Sequence, residues 1–345
     1  MTDSLDTHYS TLIKAITDGR VVPFLGAGVN LCDRPPETNW KLGEFLPSGR
    51  ELSLHLAECF TYQSAQVSER CPACKSEINL AEEKEKQDLV RVSQYVALNA
   101  GTGPLYDELH NIFSAKYPPT SLHQFFARLP NELRLRGYPR TDNPFRRRLV
   151  IITTNYDDLL ESAFRQAGEP FHVISYMADT DKPDQRGKCW HWAPESEPKL
   201  IESSNDYPGL SQDNYPVVVK IHGAVDRSNM DYDSYVITED HYIDYLTRAD
   251  ISNLLPVPLP AILKRSNFLF LGYSLRDWNL RVILHLIWRE QKLNYESWAI
   301  QANPQRLDQK FWAKRGVEIL DAPLKDYIAA LKQRLQSLPI PGGGA

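Results

Sequence analysis

The chain has 345 residues, 42% of them hydrophobic and 24% charged, with Lys+Arg 39 against Asp+Glu 44 for a formal net charge of -5. That composition suits a globular protein with room for a sizeable core, and the acidic balance excludes a broadly basic nucleic-acid surface. No apolar run approaches the roughly 18 residues of a membrane span, and Met1-Thr2-Asp3-Ser4-Leu5-Asp6 lacks the basic and apolar regions of a signal peptide, so a cytoplasmic protein without membrane contact is expected.

Leu5, Leu12, Ile13 and Ile16 stand at near-helical spacing and predict a helix over 4–18, stopped by Gly19. A strand over 20–25 follows and runs into Gly26-Ala27-Gly28. A Pro-rich loop over 32–47 leads to a mostly helical stretch over 49–129, broken around Cys71–Cys74 and at Gly101-Thr102-Gly103-Pro104. The stretch over 49–129 reads as a helical lobe inserted into a main domain of 1–48 and 130–338. The end, 339–345, reads as a flexible tail because of Pro341-Gly342-Gly343-Gly344.

The most basic spot, Arg146-Arg147-Arg148, reads as the solvated entrance to the next strand. From there short apolar runs alternate with helices: strands over 149–153, 171–175, 217–222, 268–271, 297–300 and 317–320, helices over 156–167, 277–292 and 324–338. The segment 178–215, rich in Pro, Asp, Glu and Ser around Trp190 and Trp192, reads as a long surface loop, functional or mobile. Buried strands alternating with helices predict an α/β fold, a doubly wound parallel sheet covered on both faces.

Five cysteines, Cys32, Cys59, Cys71, Cys74 and Cys189, are an odd number at irregular spacing, which argues for thiols over a disulfide framework. Cys71-Pro-Ala-Cys74 has zinc-knuckle spacing, but a tetrahedral site needs four ligands and no second Cys-x-x-Cys exists. Cys59 and His55 could complete one. A lone thiol pair in a polar loop is the plainer reading, and no metal is expected.

Four polar segments each follow a buried strand: Gly26-Ala27-Gly28, Thr153-Thr154-Asn155-Tyr156-Asp157, His222-Gly223 and Gly272-Tyr273-Ser274. In an open parallel sheet ligands bind beyond the carboxyl ends of the strands, so these segments would face one crevice. Gly26 and Gly28 let N–H groups approach a phosphate without a Cβ in the way, or form a plain strand-to-helix turn. The third glycine of the dinucleotide fingerprint is missing, which disfavours hydride-transfer dehydrogenases. Asn155 can donate to a carbonyl or ribose oxygen and accept from water, or can cap a helix starting at Tyr156, with Asp157 in its first turn. His222, before a glycine that lets the chain leave abruptly, is placed for proton transfer, although a lone histidine is often structural. Gly272-Tyr273-Ser274 offers a close backbone approach and a hydroxyl suited to a ribose, or an ordinary turn with Asp277 as helix cap.

In this order the four segments resemble the sirtuin superfamily, whose members share a Gly-Ala-Gly turn, a Thr-x-Asn-x-Asp strand end, a His-Gly pair and a Gly-x-Ser-Leu turn. Matching them are Gly26-Ala27-Gly28, Thr154-Asn155-Tyr156-Asp157, His222-Gly223 and Gly272-Tyr273-Ser274-Leu275. The resemblance implies a Rossmann-like NAD pocket in which Gly26, Ala27 and Gly28 face the pyrophosphate and Asn155 and Asp157 the nicotinamide ribose. His222 would act as general base and Ser274 would lie by the adenosine, with Asn30, Thr154, Gly272 and Tyr273 completing the NAD-binding set.

Two departures narrow the chemistry that the resemblance implies. Deacylating sirtuins carry two Cys-x-x-Cys pairs and a Phe-Gly-Glu strand between the His-Gly and Gly-x-Ser segments, whereas 224–267 has neither. Val29-Asn30 and Cys32-Asp33-Arg34-Pro35-Pro36 replace the family's serine and nicotinamide loop. Gly272-Tyr273-Ser274-Leu275-Arg276-Asp277-Trp278-Asn279 looks instead like the version in sirtuin-like effector domains of bacterial anti-phage systems, which hydrolyse NAD to ADP-ribose and nicotinamide with water as nucleophile. NAD is then the substrate, Asn155 and His222 the catalytic pair. A homo-oligomer controlled by a separate sensor protein, a translocase-type ATPase or an Argonaute-like protein, is the implied setting, or else a domain excised from a larger sensor. The alternatives are a protein deacylase or ADP-ribosyltransferase, and a non-catalytic regulator that binds NAD or ADP-ribose.

Overall fold

Runs such as Val217-Val218-Val219 and Phe268-Leu269-Phe270-Leu271 are apolar at every position, and such strands are stable only with both faces covered. In the computed structural model, which describes residues 2–63, 82–139, 146–178, 180, 184–204, 207–210, 213–248, 255–256, 259–273 and 295–340, they lie inside a sheet. Its strands are β1 (Val21–Leu25), β2 (Val150–Thr153), β3 (His172–Tyr176), β4 (Cys189–Trp192), β5 (Lys199–Ile201), β6 (Val217–Lys220), β7 (Asn267–Leu271), β8 (Ser297–Gln301) and β9 (Val317–Asp321). They are ordered β5-β4-β3-β6-β2-β1-β7-β8-β9. From β3 to β9 every pair is parallel, and β4 and β5 are added antiparallel at one edge.

Three cores hold the molecule. On one face of the sheet, Leu25, Ile151, Val218 and Leu269 pack against α1 (Thr2–Thr17), a helix over Ser121–Leu135, a helix over Leu159–Ala167 and the final helix Leu324–Gln336. On the other, Phe24, Ile152, Val219 and Phe270 meet Tyr242 and Tyr245 of the helix Glu239–Arg248, and Leu259, Leu263 and Trp312. The third core joins α2 (Gly49–Cys59), α3 (Leu89–Asn99) and α4 (Thr102–Ser114) to Tyr156, Leu159, Val225, Tyr235 and Ile237. In chain order the remaining helices are α5 (Ser121–Leu135), α6 (Leu159–Ala167), α7 (Glu239–Arg248), α8 (Leu259–Leu263), α9 (Arg306–Ala313) and α10 (Leu324–Gln336).

The α/β doubly wound, mostly parallel sheet matches the sequence expectation, and four local features differ. The segment 178–215 holds the hairpin β4–β5, because Cys189 and His191 alternate inward with half-buried Trp190 and Trp192. Arg148 is buried, its guanidinium donating to the backbone carbonyl of Asp213 and lying 3.3 Å from that residue's carboxylate, so only its two neighbours in the basic run are left to solvent. A boundary at 129/130 falls inside α5, a single helix that packs on the sheet. The helix expected from 156 begins at Leu159. Gln94, on α3, reaches across to α7, where it bonds the Asp240 carboxylate at 2.8 Å and accepts from the Asp240 N–H at 3.0 Å. Cys71, Cys74, the segment expected to be helical over 277–292 and the tail from 341 lie outside the described residues.

Burial holds four imidazoles well below the ordinary 6.5: His8, His123 and His191 at about 4 and His222 at about 3. In the unfolded chain these groups take up protons near pH 6.5, so below that pH the unfolded state binds more protons than the folded one. Stability is therefore complete above pH 6.5 and falls as the pH drops toward 4, by up to about 1.4 kcal/mol per pH unit for each histidine. Urea unfolding at pH 7.5 and pH 5 is expected to show a lower midpoint at pH 5, and equal midpoints would contradict burial of the neutral rings.

Candidate functional site

The connections after β1 run first to β2 on one side and later to β7 on the other, which makes the carboxyl end of β1 the switch point where an open parallel sheet forms a crevice. Leu25 is in register with Thr153 and with Leu271, and Thr153 with Lys220. The ladder continues one residue past these ends: the N–H groups of Thr154, Ile221 and Gly26 donate to Leu25 O, Thr153 O and Leu271 O at 3.2, 3.0 and 2.9 Å. Counting two residues on from the register pairs reaches Ala27, Asn155, His222 and Tyr273. The four polar segments of the sequence thus gather at one edge, with Asn155 two residues past the end of β2 and His222 two residues past the end of the adjacent β6.

Glycine is needed here because the turns after β1 and β7 nest. Gly28 N–H donates to Gly272 O at 3.0 Å, and Val29 N–H to Gly26 O at 3.0 Å. Gly272 has φ +77, and a Cβ there would lie 2.5 Å from Val29 N; one on Gly26 would lie 2.8 Å from the Tyr273 ring. The Tyr273 hydroxyl donates to Leu25 O at 3.0 Å and accepts from Thr154 Oγ1 at 2.8 Å. The amides of Gly26, Gly28 and Val29 are all taken up by backbone carbonyls of β7 and the turn itself, with Tyr273 seated over Gly26. Ser274 and 275–279 lie outside the described residues.

Asn155 is held at both ends. Its N–H donates to Thr153 Oγ1 at 3.0 Å, and its Nδ2 to Gly26 O at 3.3 Å, tying the end of β2 to the turn after β1. It is not a helix cap: the N-cap position of α6 is Asp158, which makes no side-chain cap bond, and Asp157 Oδ1, one residue earlier, accepts from Leu159 N–H at 3.1 Å. The other carboxylate oxygen of Asp157 accepts from Asn30 Nδ2 at 2.8 Å, which leaves Asn30 Oδ1 buried without a partner.

His222 is buried with its ring edge-on to Tyr242 and Tyr245, centroids 5.5 and 5.9 Å away. Its Nε2 has no hydrogen-bond partner, and burial pushes its pKa down to about 3, so the ring is neutral at pH 7. Its carbonyl accepts from Val236 N–H at 2.8 Å, and Gly223, at φ +88, turns the chain where a Cβ would sit 2.1 Å from Ser234 O. A buried imidazole nitrogen without a partner can accept a proton or a hydrogen bond from a ligand.

Below these groups lies a buried charge pair that the sequence analysis did not single out. Lys220, 1% exposed, donates to the Asp157 carbonyl and to Glu161 Oε1 at 2.9 Å, fixing the loop that carries Asn155 and Asp157. Burial raises the pKa of Glu161 while the Lys220 ammonium opposes it. The signal was a lone lysine inside Val217-Val218-Val219-Lys220-Ile221. Asp233 was also missed: it accepts from Asp226 N–H at 2.6 Å and from the Tyr235 hydroxyl at 2.8 Å, and lies 2.7 Å from His110 Nδ1 on α4, joining the helical lobe to the loop after His222.

Residues 149–320, which hold Asn155, His222 and Gly272, match the family model of the SIR2-like domain. The chain carries a domain of the SIR2-like family. It is also 25% identical over 177 residues to Defense-associated sirtuin 2 of Bacillus subtilis, an alignment that covers 50% of this chain and 14% of that protein. Strand β1 and its Gly26–Gly28 turn precede the matched range, yet the sheet of this sirtuin-like domain seats them between β2 and β7.

Removing one partner of a buried ion pair strands the other. Lys220→Ala is therefore expected to destabilise the sirtuin-like domain by about 3–5 kcal/mol, whereas Lys220→Met combined with Glu161→Leu recovers most of the loss. Urea unfolding of both variants measures this, and a neutral Lys220→Ala would contradict it.

Proposed function

We propose that the chain is an NAD glycohydrolase that cleaves NAD to ADP-ribose and nicotinamide, acting as a regulated, NAD-depleting effector of bacterial anti-phage defence. The observation that supports this reading is the buried, unpartnered Nε2 of His222 just past the end of β6, with Asn155 just past the end of the neighbouring β2. Membership of the SIR2-like family supports NAD as the substrate, and similarity to a defence-associated sirtuin supports the setting. The cysteine-free interval 224–267 favours water over an acyl-lysine peptide as nucleophile.

In this mechanism the bond between nicotinamide and ribose breaks with its electron pair leaving on the nicotinamide nitrogen, and the charge that develops on the ribose is met by water. Asn155, held through Nδ2 by Gly26 O, keeps its side-chain oxygen for that water. His222, neutral because it is buried, accepts the proton the water loses, a contribution of about 10²–10⁴ in rate. In this reading Asn155 and Asp157 would serve the nicotinamide ribose, the Gly26–Gly28 turn the pyrophosphate and, as the resemblance implies, Ser274 the adenosine, with Asn30, Thr154, Gly272 and Tyr273 completing the NAD-binding set.

An NADase must be restrained in its own cell, and the site has the means. With Tyr273 over Gly26 and the turn amides bonded to the protein, a pyrophosphate reaches the turn only after Tyr273 moves. The helical lobe shares its core with Tyr156, which follows Asn155, and with Val225, three residues past His222, so the lobe packs against both segments of the proposed catalytic pair. Homo-oligomerisation and a separate sensor protein, a translocase-type ATPase or an Argonaute-like protein, complete the proposal.

The test is incubation of the purified chain with NAD, with and without an acyl-lysine peptide, following nicotinamide and ADP-ribose. Release independent of peptide is expected, reduced by at least about 100-fold in Asn155→Ala and in His222→Ala. Full cleavage by His222→Ala would overturn the assignment. Binding of NAD without release in any oligomeric or partner-bound state would favour the non-catalytic regulator.

The acid limb offers a second check. Because burial holds His222 at about 3, the base is already deprotonated at pH 5.5. The kcat/KM profile of the folded protein is expected to show no loss of activity through pH 6.5, and an inflection there that disappears in His222→Gln would contradict the burial argument.

A further inference from the structure

The helical lobe contains a cluster of a different chemistry. His55 and Cys59 stand four residues apart on α2, which places both on one face of the helix, one turn apart. Glu108 faces them from α4. The Cys59 sulfur lies 3.4 Å from His55 Nε2, Glu108 Oε1 lies 2.6 Å from the same nitrogen, and one donor atom from each of the three residues falls within 4.8 Å of the others. We propose that His55, Cys59 and Glu108 bind a zinc ion that clasps α2 to α4.

Tetrahedral zinc with sulfur at 2.3 Å and nitrogen or oxygen near 2.0–2.1 Å holds its ligand atoms roughly 3.3–3.6 Å apart. The sulfur-to-nitrogen distance already falls there. The 2.6 Å between His55 and Glu108 is a hydrogen bond, and the ion would take the place of its proton, opening the pair by about 0.7 Å, within the reach of a partly exposed glutamate side chain. One thiolate, one imidazole and one carboxylate form a mixed donor set that suits zinc and is too soft for magnesium or calcium. Cys59 is exposed and the other two are about a quarter exposed, so an ion has a path from solvent and room for a fourth ligand.

The edge of the Trp40 ring lies against His55, centroids 5.1 Å apart, and orients the imidazole toward the pair. Binding exchanges the Cys59 thiol for a zinc thiolate and releases that proton to solvent, while His55, binding in its neutral form through Nε2, carries its one proton on Nδ1. The absence of a second Cys-x-x-Cys in the sequence gives no hint of this cluster, because Glu108, far along the chain on another helix, carries no local signal. This inference concerns the lobe and stands or falls apart from the NAD reading.

The full chain, purified without chelator, loaded with zinc and desalted, is expected to retain about one zinc per chain by elemental mass spectrometry. His55→Ala and Cys59→Ser are each expected to lower that content by about tenfold or more, and Glu108→Gln to lower it less. Because His55→Ala also removes the contact with Glu108, a second measurement uses Cys59→Ser, an exposed substitution. The stripped wild-type chain titrated with Co²⁺ is expected to show a saturable thiolate-to-cobalt charge-transfer absorption that weakens in Cys59→Ser. Zinc below about a tenth of an equivalent in the loaded wild type, or equal zinc content in the wild type, His55→Ala and Cys59→Ser, would overturn the proposal.

Discussion

The hydrogen-bonded register of β6, β2, β1 and β7 governs everything at the carboxyl edge of this sheet. Because side chains alternate along a strand, a slip of one residue in β6 would turn His222 to the opposite face and carry Lys220 away from Glu161. These strands are apolar on both faces, so hydrophobic patterning alone discriminates poorly between registers. Polar contacts that fit only one alignment do so instead: Lys220 with Glu161 and the Asp157 carbonyl, Asn155 with Gly26 O, Gly28 with Gly272 O.

The buried charge belongs to the same logic. An ammonium 1% exposed is costly to desolvate, and its partners recover that cost only when the carboxylate and the carbonyl are both in place. Lys220 thereby couples the end of β6 to the loop after β2, and Asp157 carries the coupling on to Asn30 after β1. Three segments remote in sequence are joined by one chain of polar contacts. Above it, Asn155 and His222 are held by backbone bonds and aromatic rings, so each keeps a defined orientation without a partner at His222 Nε2. A site built this way is ready for a ligand that supplies the missing bond.

Two parts of the molecule bear on access to that site. Tyr273 and the nested glycine turns close the crevice from the β7 side, while the lobe core reaches it through Tyr156, Val225 and Tyr235, with Asp233 and His110 adding a polar tie. The lobe is thus continuous in packing with the carboxyl edge of the sheet, although α2, α3 and α4 all lie outside the 149–320 SIR2-like match.

The sequence by itself determined the elements and the end of the sheet where polar chemistry gathers, because strand runs, glycine turns and strand-end residues are local patterns set by backbone sterics and burial. Val217 to Lys220 reads as a buried strand from its own composition, and Gly223 and Gly272 mark turns that require positive φ. Only the tertiary structure decided what those residues touch. Asn155 bonds Gly26 O instead of capping a helix, Arg148 went inward to Asp213, Trp190 and Trp192 turned out to lie on a hairpin, and His55, Cys59 and Glu108 came together from two helices. Each of these depends on a partner many residues away, and the free energy of such a contact is a property of pairing and burial that local periodicity does not contain.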